Sequence, residues 1–227
     1  MKKKIIVTCI VFMMVIGVCG CTMKKEKKET ADEIVSAMET HLLDKYGPIQ
    51  FKIKGFFSAG WDYPYDLLNL STTVDGVDEH FFVQRHENEE GRYIYKDSYF
   101  GVAIAKDLEE LASEYAAKHF IEYKVFAVAL GYDIYPDALD GNCTIDDLVG
   151  LDDENLHIVF AVYVSENDFK DVDAFENTAK EFVEDWKTAD ILSRPRVFRI
   201  PNEDFVNLKR EDCWKVYSES KIEYKND

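Results

Sequence analysis

The sequence lacks the short motifs that mark the common catalytic centres. It contains no Gly-x-Ser-x-Gly nucleophile elbow, no His-Glu-x-x-His helix and no Cys-x-x-Cys pair, so neither a hydrolase nucleophile nor a zinc site is visible. Its histidines are scattered, at His41, His80, His86, His119 and His157. We therefore predict no catalytic residue, no metal and no cofactor from the sequence alone.

Positive charge is also scarce. The chain of 227 residues has 27 Lys and Arg against 44 Asp and Glu, a formal net charge of −17. An acidic protein repels phosphate backbones, which argues against nucleic acid as a partner. With 47% hydrophobic and 14% aromatic residues, the chain has ample material for a folded core, which excludes disorder along its whole length.

Cysteine is nearly absent from the body of the chain. Cys9, Cys19 and Cys21 lie within the first 21 residues, so only Cys143 and Cys213 remain beyond them. Outside the cytoplasm these two could form a disulfide, which would close a loop of about 70 residues and add a few kcal/mol to stability. The alternative is two thiols, since spacing along the sequence does not bring the cysteines together.

The N-terminus has the plan of an export signal. Lys2–Lys4 precede an uncharged apolar run of fourteen residues, Ile5–Val18, which is shorter than the ~20 residues that a membrane-spanning helix needs. The following Val18-Cys19-Gly20-Cys21 resembles the lipobox of bacterial lipoproteins. That resemblance implies cleavage after Gly20, a lipid on the Cys21 sulfur and a membrane anchor on the extracytoplasmic face. An ordinary cleaved signal and an uncleaved anchor are the alternatives.

We expect three regions: a signal peptide at 1–20, a basic tether at 21–29 and an acidic body at 30–227. Such a tether would lie close to an anionic lipid surface. In the body, a capping box of Thr30 and Glu33 predicts the first helix, which Gly47 and Pro48 end. Alternating residues then predict about four strands, with turns at Asp75-Gly76 and 87–91.

Further along, the sequence predicts a helix capped by Asp107, a strand at 125–130, a strand at 158–164 and a helix capped by Asp173. Closing strands are expected at 197–200 and 214–217. The fold class is therefore α+β, with helices packed on antiparallel sheet, and the order of elements suggests two related halves, 30–104 and 105–227. The order of elements in the first half is similar to cystatin-like and peptidase-propeptide-like modules.

Two loops are candidate binding sites. The first has three aromatic residues around a proline, Trp61, Tyr63 and Tyr65; such residues are favoured in recognition surfaces, although they also pack loops onto sheets. The second is an acidic loop that could supply oxygen ligands to Ca²⁺, although it fits equally a solvated loop. Its weak candidate ligands are Asp137, Asp140, Asp152 and Asp153.

Carboxylate pairs at Glu109-Glu110 and Glu184-Asp185 are predicted to face solvent on helices, so they suggest no acid/base pair. The sequence as a whole indicates a lipid-anchored binding or interaction module, with a protein, peptide or sugar as ligand. An envelope enzyme with a site assembled from distant residues is one alternative. A structural or inhibitory accessory protein is the other.

Overall fold

The computed structural model describes residues 29–128, 131, 133–151, 156, 158–213, 215 and 223–224. Within them the chain forms five α-helices and two four-stranded sheets, which confirms the α+β class. No helix in this described part is long and apolar enough to cross a membrane. The predicted signal peptide, Cys21 and almost all of the tether lie outside it.

The first half is a helix followed by an antiparallel meander. The helix is α1 (Ala31–Tyr46), and the strands are β1 (Lys52–Phe57), β2 (Asp66–Val74), β3 (Val77–Glu87) and β4 (Tyr93–Asp97), which lie side by side in that order. Met38 and Leu42 of α1 pack on the inward residues of β2 and β3. A single apolar layer between one helix and one sheet therefore forms the core of this half.

Local chemistry fixes the boundaries of these elements. The Thr30 side chain and Glu33 form the predicted capping box at the start of α1, and Gly47, at φ 76°, ends the helix. Asp75 and Gly76, with φ 49° and 84°, make the two-residue turn between β2 and β3. A turn with two positive φ angles matches the twist of a hairpin, and it pairs Val74 directly with Val77.

The second half is built around a buried central strand. Its elements are α2 (Tyr99–Ala103), α3 (Ala105–Ala116), β5 (Tyr123–Val128), β6 (Val159–Ser165), α4 (Val172–Trp186), β7 (Arg194–Ile200), α5 (Asn202–Asn207) and β8 (Glu223–Tyr224). Six of the seven residues of β6 are buried, because helices α3 and α4 cover one face and a smaller cluster around Tyr163 and Phe198 covers the other. The continuous apolar run predicted this central position.

The two halves differ in topology. Strand β7 runs parallel to β6, because helix α4 between them carries the chain back to the end of the sheet at which β6 begins. Strands β5 and β8 are antiparallel to their neighbours. The second sheet is thus mixed, whereas the first is wholly antiparallel. The expected likeness between the halves extends to one four-stranded sheet in each and not to the strand connections.

Three predicted boundaries are corrected. Helix α3 begins at Ala105 and continues from α2 through a kink at Ile104, so Asp107 lies in its first turn and caps nothing. Asp171 caps α4, because its extended backbone lets the side chain accept the Ala174 N–H at 2.9 Å. Of the predicted strand at 214–217, Trp214, Val216 and Tyr217 lie outside the described residues, and Lys215 is helical.

The halves contact one another closely. Gly131 lies so near the β3 backbone that a Cβ atom there would stand 1.8 Å from the His80 carbonyl oxygen, so only glycine fits. Arg210 also joins them, since its guanidinium reaches Glu79 of β3 and Glu109 of α3. Packing of the two halves therefore depends on both backbone approach and a partly buried ion network.

Candidate functional site

The aromatic loop, residues 58–65, connects the antiparallel strands β1 and β2 at one end of the first sheet. The Gly60 N–H donates to the Tyr63 carbonyl at 2.8 Å, which closes a tight turn with Trp61 and Asp62 at its tip. Trp61 is fully exposed, with a relative accessibility of 106%. The sequence left two alternatives for this loop, recognition or packing over the sheet, and Trp61 does not pack.

A buried ion pair supports the loop from below. Asp66 and Arg85 lie directly opposite each other on β2 and β3, and Arg85 Nε donates to Asp66 Oδ2 at 2.9 Å. The other carboxylate oxygen, Asp66 Oδ1, accepts the Ala59 N–H of the loop at 2.9 Å. One carboxylate therefore connects the sheet to the base of the aromatic loop.

Arg85 has two further partners. Its Nη1 donates to Glu29 Oε2 at 2.8 Å, and its guanidinium lies 3.9 Å from the centre of the Tyr93 ring. Burial alone would lower the pKa of Arg85, but its hydrogen bonds to Glu29 and Asp66 outweigh burial and raise that pKa. Arg85 therefore stays charged, and its planar guanidinium is held by Asp66, Glu29 and the Tyr93 ring.

A row of rings continues from the loop along the outward side of the sheet. The Tyr63 ring lies 6.3 Å from Phe57 and 5.6 Å from Tyr65, and Tyr65 lies 4.7 Å from His86. Phe57 and Tyr63 are both exposed. Burial, with Lys96 nearby, lowers the pKa of His86, which favours the neutral ring. The row is thus an aromatic strip, and the exposed Asp62 directly precedes Tyr63 in the sequence.

A second polar cluster surrounds Asp97, which is completely buried. Its Oδ2 contacts His41 Nε2 at 3.1 Å and Lys45 Nζ at 2.9 Å, and its Oδ1 accepts the Tyr46 hydroxyl at 2.7 Å and the Tyr99 N–H at 3.1 Å. Burial raises the pKa of this carboxyl, but the hydrogen bonds and charges of His41, Lys45 and Tyr46 lower it overall. Both oxygens are fully engaged, so the cluster holds α1 to the sheet and offers no basic lone pair to a substrate.

The predicted solvent-facing acids are not all on the surface. Glu109 is partly buried, and its carboxylate accepts the Ala127 N–H at 2.7 Å and a bond from Arg210. Burial raises the pKa of Glu109, although Ala127 and Arg210 oppose this. Asp185 bonds Lys118 at 3.2 Å and His119 at 3.3 Å. The prediction of solvent exposure is therefore wrong for Glu109 and incomplete for Asp185, because both carboxylates have partners distant in sequence.

The candidate calcium ligands are only partly described. Asp152 and Asp153 lie outside the described residues. Asp137 is exposed, and Asp140 Oδ1 accepts the Asn142 N–H of its own turn at 2.8 Å. In the ranges that the structure describes, no three His, Cys, Asp or Glu side chains are grouped to hold a metal ion.

The two cysteines of the body are thiols in different clusters. Cys143 packs at the edge of the large core between the helices and the second sheet. Cys213 is buried in the smaller cluster on the opposite face, where its carbonyl oxygen accepts the Tyr163 hydroxyl at 2.8 Å. Of the two alternatives that the sequence left open, the structure has the pair of thiols and not the disulfide.

Comparisons with protein-family models and with curated proteins find no match. Among solved structures, the chain is similar to a DUF5037 family protein from Ruminococcus gnavus ATCC 29149. The two share 14% sequence identity, the alignment covers 77% of this chain and 78% of that one, and the TM-score is 0.38. A similarity of this size carries no argument about fold or function, so the candidate site depends on its geometry alone.

Sequence reasoning located the aromatic loop but missed its support. Asp66 and Arg85 are opposite because the Asp75-Gly76 turn fixes the register of every pair in the hairpin. That turn was recognisable in the sequence, so the pair could have been found by counting outward from it. The Asp97 cluster had no comparable signal, since His41 and Asp97 are 56 residues apart and meet only through packing.

Proposed function

We propose that this chain is a lipid-anchored, non-catalytic binding protein of a bacterial envelope, and that its aromatic loop binds carbohydrate. The observation that carries the proposal is the complete exposure of Trp61 on a loop whose base is fixed. An indole in water is unfavourable by a few kcal/mol relative to a buried one, so a rigid loop that holds it outward is typical of a recognition surface.

The chemistry of the strip favours a sugar as ligand. The negative face of an aromatic ring attracts the weakly positive C–H edge of a pyranose, and a carboxylate accepts strong hydrogen bonds from hydroxyl groups. Trp61, Tyr63 and Phe57 supply exposed ring surface, and Asp62, exposed between Trp61 and Tyr63 in the sequence, supplies a carboxylate. Since the loop base is fixed by Asp66 and Arg85, the strip is largely ordered before ligand arrives, which lowers the entropic cost of binding.

Binding is tested with soluble cello-, chito- and maltooligosaccharides, followed by tryptophan fluorescence and isothermal calorimetry on the mature chain. We expect saturable binding of at least one series, and we expect the double substitution Trp61→Ala with Tyr63→Ala to abolish it. The unfolding free energy should change by less than about 0.5 kcal/mol, as for surface substitutions. The matched control is Ile121→Ala, which removes another exposed apolar side chain and should leave binding intact.

Two outcomes contradict the proposal. Absence of binding in all three series would exclude carbohydrate recognition by these common sugars. A large loss of stability in the double variant, with binding retained, would mean that the aromatic side chains hold the fold and do not recognise a ligand.

Anchoring is supported by the Val18-Cys19-Gly20-Cys21 signature and is tested separately. Cys21→Ser removes the sulfur to which the lipid would be attached. We therefore expect the precursor to accumulate unprocessed or the protein to leave the membrane fraction. Fractionation with metabolic palmitate labelling measures both effects. Cys143→Ser is the control, because it removes another thiol without touching the signal. Normal processing and retention of the Cys21→Ser chain would refute the lipid anchor.

A further inference from the structure

A cavity of about 390 Å³ lies at the far end of the molecule's second sheet, where α4 ends and β7 begins. Both apolar and polar side chains line it. Among them are Leu151, Trp186, Ile191, Asp190, Ser193 and Arg194. A volume of this size is at the small end of the range for ligand cavities, which favours a compact ligand.

The walls of the cavity are held in place. The Trp186 indole N–H donates to Ser193 Oγ at 3.0 Å, and its ring packs edge-on against Phe160 and Tyr115 at 4.6 and 5.2 Å between centroids. On the other side, the Gly150 N–H donates to the Asp190 carbonyl at 2.9 Å. The cavity is therefore preformed and does not require a loop to close first.

Three charged side chains line this cavity, those of Lys187, Asp190 and Arg194. Asp190 follows the short turn after α4 and has a left-handed backbone, and Arg194 is the first residue of β7. Asp190 and Arg194 are both exposed, and within the ranges that the structure describes neither side chain has a protein hydrogen bond or ion pair, whereas Lys187 is paired with Glu184 at 2.7 Å. A ligand with both charges would satisfy Asp190 and Arg194 together.

Helix polarity adds to this arrangement. Val183 and Trp186, at the C-terminal end of α4, line the cavity, and a helix C-terminus carries a partial negative charge that attracts cations. Together with the Asp190 carboxylate it favours an ammonium group on that side. Arg194 has a planar guanidinium with several N–H donors, which favours a carboxylate on the other side.

We infer that this cavity binds a free α-amino acid with an apolar side chain. Its ammonium group would face Asp190 and the end of α4, and its carboxylate would face Arg194. Its side chain would lie on Leu151, Ile191 and the edge of Trp186. This site is separate from the aromatic loop and does not depend on the proposed carbohydrate binding.

The test uses L-leucine and L-phenylalanine as probes, with binding followed by calorimetry and by saturation-transfer NMR on the mature chain. Two analogues dissect the recognition: 4-methylpentanoate lacks the ammonium group, and 3-methylbutylamine lacks the carboxylate. We expect both analogues to bind at least about tenfold more weakly than L-leucine, as expected for loss of one charge-assisted contact.

Variants locate the site. Arg194→Gln should weaken L-leucine binding about tenfold and leave the binding of 3-methylbutylamine unchanged. Asp190→Asn, which keeps the left-handed backbone accessible, should weaken L-leucine binding to a similar extent and leave the binding of 4-methylpentanoate unchanged. Arg92→Gln, an exposed arginine in the first half, is the matched control and should change nothing. The inference is overturned if neither amino acid binds, if the analogues bind as well as L-leucine, or if Arg194→Gln and Arg92→Gln behave alike.

Discussion

The first sheet contains two buried aspartates with opposite uses. Asp97 is completely buried, and its side-chain partners His41, Lys45 and Tyr46 all come from α1. Its hydrogen bonds therefore hold the helix to the sheet. Asp66 is almost as buried, yet one of its oxygens holds the base of a loop whose tip is exposed. The comparison shows that a dense polar cluster need not be a functional site. What distinguishes the candidate site is an exposed surface that a buried cluster keeps in place.

The largest effect is expected from Asp97→Ala. The substitution leaves a partly buried lysine, a hydroxyl and an imidazole without their acceptor, and removing one partner from a buried ion pair typically costs about 3–5 kcal/mol. Urea denaturation measures the loss. Asp78→Ala is the control, because Asp78 pairs with Lys52 and Lys54 on the surface and its removal should leave the midpoint nearly unchanged. Equal midpoints for the two variants would mean that the Asp97 cluster does not hold α1.

A smaller effect on stability, but a larger one on the loop, is expected from Asp66→Ala. Arg85 keeps Glu29 and the Tyr93 ring as partners, so we expect a loss of about 2–3 kcal/mol, below the range for a buried charge left wholly alone. The Ala59 amide loses its acceptor and should exchange with solvent faster in hydrogen-exchange NMR. If Ala59 protection and carbohydrate binding both persist in this variant, the buried pair does not order the aromatic loop. Asp97→Ala provides the contrast, since it should spare the Ala59 amide.

The sequence predicted the first half of the fold well because its signals are local. The capping box at Thr30, the stop at Gly47 and the turn at Asp75-Gly76 each depend on residues within a few positions of one another. The parallel pairing of β6 with β7 was missed, because the intervening helix α4 decides it and strand composition does not. Asp107 and Asp173 were assigned as caps because several acids compete near each helix start, and backbone geometry selects among them.

The candidate site was predictable at its surface and, through the hairpin register, in part beneath it. Trp61, Tyr63 and Tyr65 are close in sequence, so their loop was visible as a cluster. The pairing of Asp66 with Arg85 follows from the register of the hairpin. The partners of Asp97 come from another element and are chosen by packing, as is the contact between Glu109 and Arg210, which are 101 residues apart. Burial of these charged groups therefore could not be deduced from helical or strand periodicity, which assigns charged residues to the solvent side by default.

The smallest but most specific effect is expected in the pH dependence of stability, which should reveal the buried negative charge of Asp97. The folded-state pKa of Asp97 is lowered overall, so the unfolded chain takes up its proton first as pH falls. Its contribution is thus fully present above the unfolded pKa of about 3.9 and is lost as pH falls through the lower folded value. We expect the stability advantage of the native chain over Asp97→Asn, measured by urea denaturation, to be constant near neutral pH and to shrink below about pH 4. A His41→Gln background should weaken this pH dependence, because the hydrogen bond from His41 is the largest of the contributions that lower the pKa of Asp97. An advantage that stays constant down to pH 2 would show that hydrogen bonds to the neutral side chain, and not the buried negative charge, hold α1 against the sheet.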